Sequence, residues 1–271
     1  MADTLTTGTA LTVDLADVTA TLESNLPAFV ELVRSAKPDA IAIGQWTARD
    51  VATHLTFVFD HYREIVTGVG AGADSFDESA RHAQAFIDGS DLGSMSDIAD
   101  AIDNSSKLFL ETVRSLDGDP IVPYVGGIPI AASCVVATCL GEILVHGYDI
   151  ARATTQPWDI DAHAAALVLK GISAVTVHFV NEEAARGFRA RYDIGLRHES
   201  HMHYVFDDGT LTIEEPSNDR VDVHISADPP TLLLMGYGRI SPTKPALTGK
   251  LLAWGRKPWL SVKMATLIRN P

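Results

Sequence analysis

Glu142 and His146 are the two residues of this sequence whose types and spacing most clearly indicate chemistry. Residues four apart in an α-helix point to nearly the same side of it, so this carboxylate and this imidazole would share one small volume. Burying both groups without a partner is costly, and a divalent metal is a partner that satisfies both. The pair therefore predicts two ligands of a metal site. The alternative is a solvated or internally paired couple that holds no metal. The neighbouring residues that favour burial are apolar: Val135, Val136, Leu140, Ile143, Leu144 and Ile150.

The third ligand must come from another helix, and His54 is the best candidate for it. Zinc takes about four ligands from histidine, cysteine and carboxylate side chains, and a catalytic site keeps one position open. His54 lies in a predicted helix that opens with a capping box at Thr47 and Asp50, at the edge of the apolar stripe of that helix. Metal-bound histidines usually donate their second N–H to a carboxylate, and Asp50, one turn before His54, is predicted to play that part.

Three further residues near these ligands have two interpretations each. Cys139 is either a soft ligand or reactive thiol, or a small core residue. His61 belongs either beside the ligands or on the surface, and Asp149 either orients a neighbouring side chain or pairs with Arg152. The histidines on strand-like segments are expected at the surface or at a domain interface rather than in a second metal site: His198, His201 and His203.

Two kinds of periodicity divide the chain. Apolar residues recur every three or four positions up to about residue 186, which predicts five amphipathic helices joined in part by a long connection over 73–95 with a short helix near 79–86. Residues 191–227 alternate with period two, which indicates half-buried strands, and Asp208-Gly209 is a hairpin signal. We therefore predict an α+β chain, with a helical bundle over residues 1–187 and a small α+β domain over 188–271.

Composition limits the partners and the compartment. The 271 residues carry a formal net charge of −14, and basic clusters are absent before the end of the chain, so nucleic acid is not expected. The longest uncharged apolar run, 128–141, is too short to span a membrane, and no Lys or Arg precedes Arg34, which argues against a secretory signal. The two cysteines lie on different sides of a helix, so we expect no disulfide and a cytoplasmic location. Monomer and homodimer both stay open.

Two motifs around the proposed ligands resemble those of a known family. The segment WTARDVATHL, residues 46–55, resembles the helix that carries the first metal ligand in the DinB-like superfamily. The segment GEILVHGYDIARAT, residues 141–154, together with QPW at 156–158, resembles the next ligand-bearing helix of the mycothiol-dependent maleylpyruvate isomerase branch. The resemblance covers most of residues 10–187, and the tail is similar in pattern to sterol-carrier-type α+β modules.

The resemblance implies a divalent metal, typically zinc, held by His54, Glu142 and His146, with water in the open position. It also implies mycothiol or a similar low-molecular-weight thiol as cofactor and a small-molecule substrate. A metal-stabilised thiolate would add to an activated double bond, and rotation followed by elimination would give the trans isomer. The same site can instead serve a thiol S-transferase.

In the same branch, an arginine of the carboxy-terminal domain reaches the substrate. Arg256, which follows LLAWG, is the position that matches it, although the spacing is shortened there, and Arg220 and Arg239 stay open. Two non-enzymatic interpretations also stay open. One is a small-molecule or lipid binder with a structural metal, and the other is a regulatory protein whose metal site is vestigial.

Overall fold

The computed structural model describes residues 11–69 and 73–269, which form two compact units. The helical unit is Asp14–Ile160, and the sheet unit comprises the described residues from 161 onward together with residues 11–13. The sequence predicts the division later, between residues 187 and 188. The difference concerns the helix Ala162–Thr176, which packs against the helix Pro229–Gly236 of the sheet unit.

Four long helices and one shorter helix build the described part of the helical unit. These helices are α1 Leu15–Ser35, α2 Ala48–Val66, α3 Phe76–Gly89, α4 Met95–Arg114 and α5 Ala132–Thr154. Helix α1 packs against α4 and α5, and α2 packs against α3, α4 and α5. Two short antiparallel hairpins join helices, the first formed by β1 (Ile41–Ile43) and β2 (Trp46–Thr47), the second by β3 (Ile121–Pro123) and β4 (Pro129–Ala131).

The starts of α2 and α4 follow from local sequence. The Thr47 hydroxyl accepts the Asp50 N–H at 3.2 Å, and the Asp50 carboxylate accepts the Thr47 N–H at 2.8 Å. Ser94 and Asp97 make the same reciprocal pair before α4. Such boxes satisfy backbone donors that a helix leaves free in its first turn. The capping box predicted at Thr47 and Asp50 is therefore present.

Helix α5 is the buried centre of the helical unit. Most of its 23 residues are buried, and it packs against α1 and α2. By length and composition alone, α5 and the segment Ala162–Phe179 are apolar enough to cross a membrane. In α5, however, 83% of that apolar window lies inside the protein, which is the pattern of a core helix.

The predicted connection over residues 73–95 contains more helix than the sequence suggests. Helix α3 spans Phe76–Gly89, starts at a Ser75 cap and buries only Ala83 and Ile87. A helix with so narrow a buried stripe produces little apolar periodicity, so the sequence pattern marks only its middle.

The sheet unit contains a five-stranded sheet. Its strands are β5 Arg189–Leu196, β6 His201–Asp207, β7 Thr210–Glu214, β8 Val223–Ala227 and β9 Leu251–Gly255. They are arranged in the order β7-β6-β5-β8-β9, in which β5 and β8 are parallel and the other neighbouring pairs are antiparallel. Its helices are α6 Ala162–Thr176, α7 Glu182–Ala185, α8 Pro229–Gly236, α9 Thr243–Leu247 and α10 Leu260–Leu267. The predicted hairpin turn between β6 and β7 is present, with Asp208 and Gly209 both at positive φ.

One face of this sheet carries the apolar core of the unit, including Tyr192, Ile194 and Phe206. A bundle of helices followed by an α+β unit confirms the predicted fold class. The helical unit alone contains the three predicted metal ligands, so its packing decides whether they meet.

Candidate metal centre

Helices α2 and α5 bring the three predicted ligands together. His54 lies in the middle of α2, and Glu142 and His146 lie one turn apart on α5, which packs against α2. One nitrogen from each histidine and one oxygen of Glu142 lie within 4.8 Å of one another. In the described part of the chain, no other set of three His, Cys, Asp or Glu side chains converges in this way.

The separations between these atoms suit a common cation. Nε2 of His54 lies 3.4 Å from Oε2 of Glu142, and Nε2 of His146 lies 3.3 Å from the same oxygen. Both distances are long for charge-assisted N–H···O bonds, which are about 2.7–2.9 Å. Donors placed tetrahedrally about 2.1 Å from a zinc ion lie about 3.4 Å apart. The donor set and its spacing therefore fit a divalent metal.

The site is largely withdrawn from solvent and electrostatically biased. The three side chains are only 12% to 18% exposed. Burial alone would raise the pKa of Glu142, but the two histidines beside it outweigh burial and hold that pKa well below its usual range. Burial alone would lower the pKa of His146, yet its contacts with Asp149 and Glu142 raise that pKa to about 9. These two carboxylates thus make the pocket strongly attractive to a positive charge.

Asp149 orients His146. Its Oδ2 lies 3.1 Å from Nδ1 of His146, and its side chain is only 1% exposed. In the neutral imidazole, the Nδ1 proton is donated to Asp149, and Nε2 of His146 then carries a lone pair directed toward the other candidate ligands, as in carboxylate–histidine–metal triads. Arg152, the alternative partner considered from sequence, instead donates to the carbonyl oxygen of Ala42 at 2.8 Å.

The substitution Asp149→Asn is expected to weaken zinc binding by about tenfold or more. An asparagine amide can donate to Nδ1 of His146, which would leave the proton on Nε2, the nitrogen needed as ligand. The measurement is a competition titration against a chromophoric chelator, with thermal unfolding of the metal-free protein to establish that the variant is folded. Asp103→Asn is the matched control, because that exposed carboxylate pairs with Lys107 in α4 and lies outside the group of candidate ligands. Equal affinity in Asp149→Asn and wild type would contradict the orienting role.

His54 lacks such a carboxylate. Its Nδ1 is buried and has no hydrogen-bond partner among the described residues. The prediction that Asp50 serves it is wrong, because the Asp50 carboxylate accepts the N–H and the hydroxyl of Thr47 in the helix cap. The Asp50 carboxylate therefore serves the helix cap and does not accept an N–H from His54.

Two tyrosines near Glu142 are not among the site residues predicted from the sequence. The hydroxyls of Tyr62 and Tyr124 lie 3.1 Å apart. Burial, reinforced by the charge of Glu142, raises the pKa of Tyr62 well above its usual range, and burial raises the pKa of Tyr124 to about 12. Both groups are therefore neutral hydroxyls at physiological pH. Tyr124 follows a short strand in a proline- and glycine-rich segment, where no periodicity indicates its burial.

Cys139 is a core residue rather than a reactive thiol. It is fully buried. Burial, and to a smaller extent the negative charge of Glu142, raises the pKa of its thiol well above the usual range. His61 lies outside the ligand group: its ring stacks on Phe57 with centroids 5.3 Å apart, and burial lowers its pKa.

The other predicted residues lie in the sheet unit. Nη1 of Arg256 donates to Oδ1 of Asp222 at 3.0 Å, and the role of Arg256 toward a substrate stays a prediction. His201 contacts Asp193 on the neighbouring strand at 3.0 Å, and the buried His203 lies 3.9 Å from the same carboxylate. Both histidines lie outside the group of three candidate ligands found among the described residues.

Comparison with known proteins gives two family matches. The mycothiol maleylpyruvate isomerase N-terminal domain family matches residues 14–151, a range that contains the three converging residues and Asp149. The SCP-2 sterol transfer family matches residues 177–255. No curated protein sequence matches the chain significantly.

Solved structures share the fold at low sequence identity. The crystal structure of a mycothiol-dependent maleylpyruvate isomerase is 12% identical, with a TM-score of 0.55 over 84% of this chain and 91% of that chain. A histidine-to-alanine mutant of that enzyme is 10% identical, with a TM-score of 0.53 over 89% and 93% of the two chains. The sec-alkylsulfatase Pisa1 from Pseudomonas sp. is 15% identical over 51% of this chain and 24% of its own, and its TM-score of 0.35 does not indicate a shared fold.

Proposed function

Because this chain belongs to the mycothiol maleylpyruvate isomerase N-terminal domain family, we propose that it is a metal-dependent enzyme that uses mycothiol or a similar low-molecular-weight thiol. The proposed reaction is cis–trans isomerisation of a small molecule with an activated double bond, and maleylpyruvate is an example of such a substrate. The thiol S–H adds across the double bond, the resulting single bond rotates, and elimination restores both the thiol and the double bond.

The observation that carries this proposal is the convergence of two imidazoles and one carboxylate in a largely buried pocket. Three protein ligands of these types are what a catalytic zinc site uses, and the fourth position is then open to an exogenous ligand. A structural site would close the coordination sphere with a fourth protein ligand. Among the described residues, only His54, Glu142 and His146 form such a group. We therefore propose zinc, or another divalent cation, with these three ligands.

A divalent metal in this pocket would supply one thing, the stabilisation of a thiolate at neutral pH. The protein's own residues do the rest of the work. Glu142 and the two histidines would hold the metal, and Asp149 holds His146 in the ligating tautomer. The low exposure of the three ligand side chains limits competition from bulk water. In the same region of the helical unit, one of the two neutral hydroxyls of Tyr62 and Tyr124 donates a hydrogen bond to the other.

The thiol of this reaction must come from outside the chain. The protein contains two cysteines, and both are buried. Burial raises the pKa of Cys134 to about 11 and holds that of Cys139 well above its usual range, so neither supplies a thiolate at neutral pH. This supports an exogenous thiol as cofactor rather than a cysteine nucleophile.

Thiol binding tests the proposal directly. Zinc-loaded wild-type protein is expected to bind mycothiol in a calorimetric titration, and metal-stripped protein is expected to bind it much more weakly. A Cys134→Ser, Cys139→Ala variant is the control, and it should bind the thiol as wild type does. Equal thiol binding by the loaded and the stripped protein would contradict a metal-bound cofactor.

Turnover separates the two reaction types that the site can support. With a cis-configured activated alkene such as maleylpyruvate, catalytic thiol should give many equivalents of trans product and consume no thiol. Accumulation of a stoichiometric thioether would show an S-transferase instead. Isomerisation that proceeds equally well without thiol would overturn the proposed function.

A further inference from the structure

Trp46 packs against both histidines of the candidate metal centre. Its ring lies 5.2 Å, centroid to centroid, from the ring of His54 and 6.5 Å from that of His146. The two imidazoles are themselves 5.4 Å apart and nearly perpendicular. Trp46 belongs to β2 and directly precedes the Thr47 cap of α2, so the capping box fixes the backbone on which its ring is placed.

The two histidines differ in what determines their orientation. Nδ1 of His146 contacts Asp149, which sets both the tautomer and the rotation of that ring. Nδ1 of His54 is buried without a hydrogen-bond partner among the described residues, so no polar contact at that nitrogen sets the rotation of its ring. Metal-bound histidines almost always have such a partner. The tilted face of Trp46 packs against the ring of His54 and limits its rotation, together with the contacts of that ring with Glu142 and His146.

Trp46 is in turn held by α3. Its indole Nε1–H donates to Oε1 of Gln84 at 2.9 Å, across 38 positions of the chain. Nε2 of Gln84 donates to Oδ1 of Asp88 one turn later, at 2.8 Å, which orients the amide with its oxygen toward Trp46. The indole is therefore restrained both at its ring face and at its only polar atom.

We propose that Trp46 is a positioning residue that orients His54 for metal binding, and that Gln84 holds Trp46 in place. This inference rests on the metal site proposed above. Aromatic packing at Trp46 thus limits the rotation of the His54 ring, which is one of the two properties that the Asp149 carboxylate sets for His146. The role of α3 is then to carry Gln84, the residue that restrains the indole.

The test compares four single variants with wild type: Trp46→Ala, Trp46→Phe, Gln84→Ala and Trp259→Ala. Zinc affinity is measured by chelator competition, and the ligand environment by the visible absorption of the cobalt(II)-substituted protein. Trp46→Ala should bind zinc about tenfold more weakly or worse, as removal of a ligand-orienting group generally does. Its cobalt spectrum should also change, because the geometry at His54 is no longer fixed.

Trp46→Phe should recover most of the affinity, because it keeps a ring face against His54 and loses only the N–H. Gln84→Ala should fall between wild type and Trp46→Ala. Trp259→Ala removes a tryptophan of the sheet unit that is 66% exposed, and it should match wild type. Thermal unfolding of each metal-free variant establishes that it is folded, and Gln84→Ala decides the question if Trp46→Ala does not fold.

The outcomes separate this inference from the proposed function. If wild type binds no divalent metal, the proposed site fails and the inference fails with it. If wild type binds zinc, His54→Ala abolishes binding, and Trp46→Ala keeps both the affinity and the cobalt spectrum of wild type, the positioning role is overturned while the metal site stands.

Discussion

Replacement of His54 or His146 by alanine is expected to reduce bound zinc from about one ion per chain to a small fraction of that value. Each substitution removes one of the three donors that converge in the described part of the chain. The remaining carboxylate and single imidazole cannot hold the ion against the chelators used in purification. The thiol-dependent activity should fall with the metal, since both depend on the same three side chains. Elemental analysis of the purified variants measures the occupancy.

His82→Ala is the matched control for these two variants. His82 lies on α3 of the same unit, its side chain is 55% exposed, and its contact is a 3.9 Å pair with Glu78. This variant should retain wild-type zinc. Full zinc occupancy in both His54→Ala and His146→Ala would rule out the ligand assignment. Partial occupancy restored by added imidazole would support it, because the small molecule would fill the vacated ligand position.

Gly147→Ala is expected to destabilise the helical unit by about 1–3 kcal/mol, the usual cost of overpacking a filled site. A Cβ at this position would overlap the six-membered ring of Trp158. That indole is not free to retreat: its Nε1–H donates to the carbonyl oxygen of Leu144 at 3.0 Å, and its ring packs edge-on against Phe29 with centroids 6.2 Å apart. The opposing gain in helix propensity is at most about 1 kcal/mol. Urea denaturation of the metal-free protein measures the difference.

The control for this steric argument is Gly89→Ala at the end of α3. Nothing lies within 4 Å of the position that its Cβ would take, so only helix propensity should act, and the variant should be as stable as wild type or slightly more so. If Gly147→Ala unfolds at the same urea concentration as Gly89→Ala, the close approach of Trp158 to α5 does not constrain residue 147.

The sequence by itself determined the features that depend on positions a few residues apart. Glu142 and His146 share a face because a helix returns after four residues, whatever surrounds it. The capping boxes at the starts of α2 and α4 need only a hydroxyl and a carboxylate three positions apart. The change from helical to alternating periodicity near residue 190 predicted the change from bundle to sheet. The two family motifs lie in these same local segments.

Tertiary structure decided everything that depends on which segments become neighbours. His54 meets Glu142 across 88 positions of sequence, and Trp46 meets Gln84 across 38. Spacing placed each residue on a face of its own helix, but only the packing of α2 on α5 made those faces meet. The wrong prediction for Asp50 has the same origin: its side chain had two plausible uses, and it accepts hydrogen bonds from Thr47 in the helix cap, not from the ring of His54. Local spacing determines which atoms are available, whereas long-range packing determines which of them come within bonding distance.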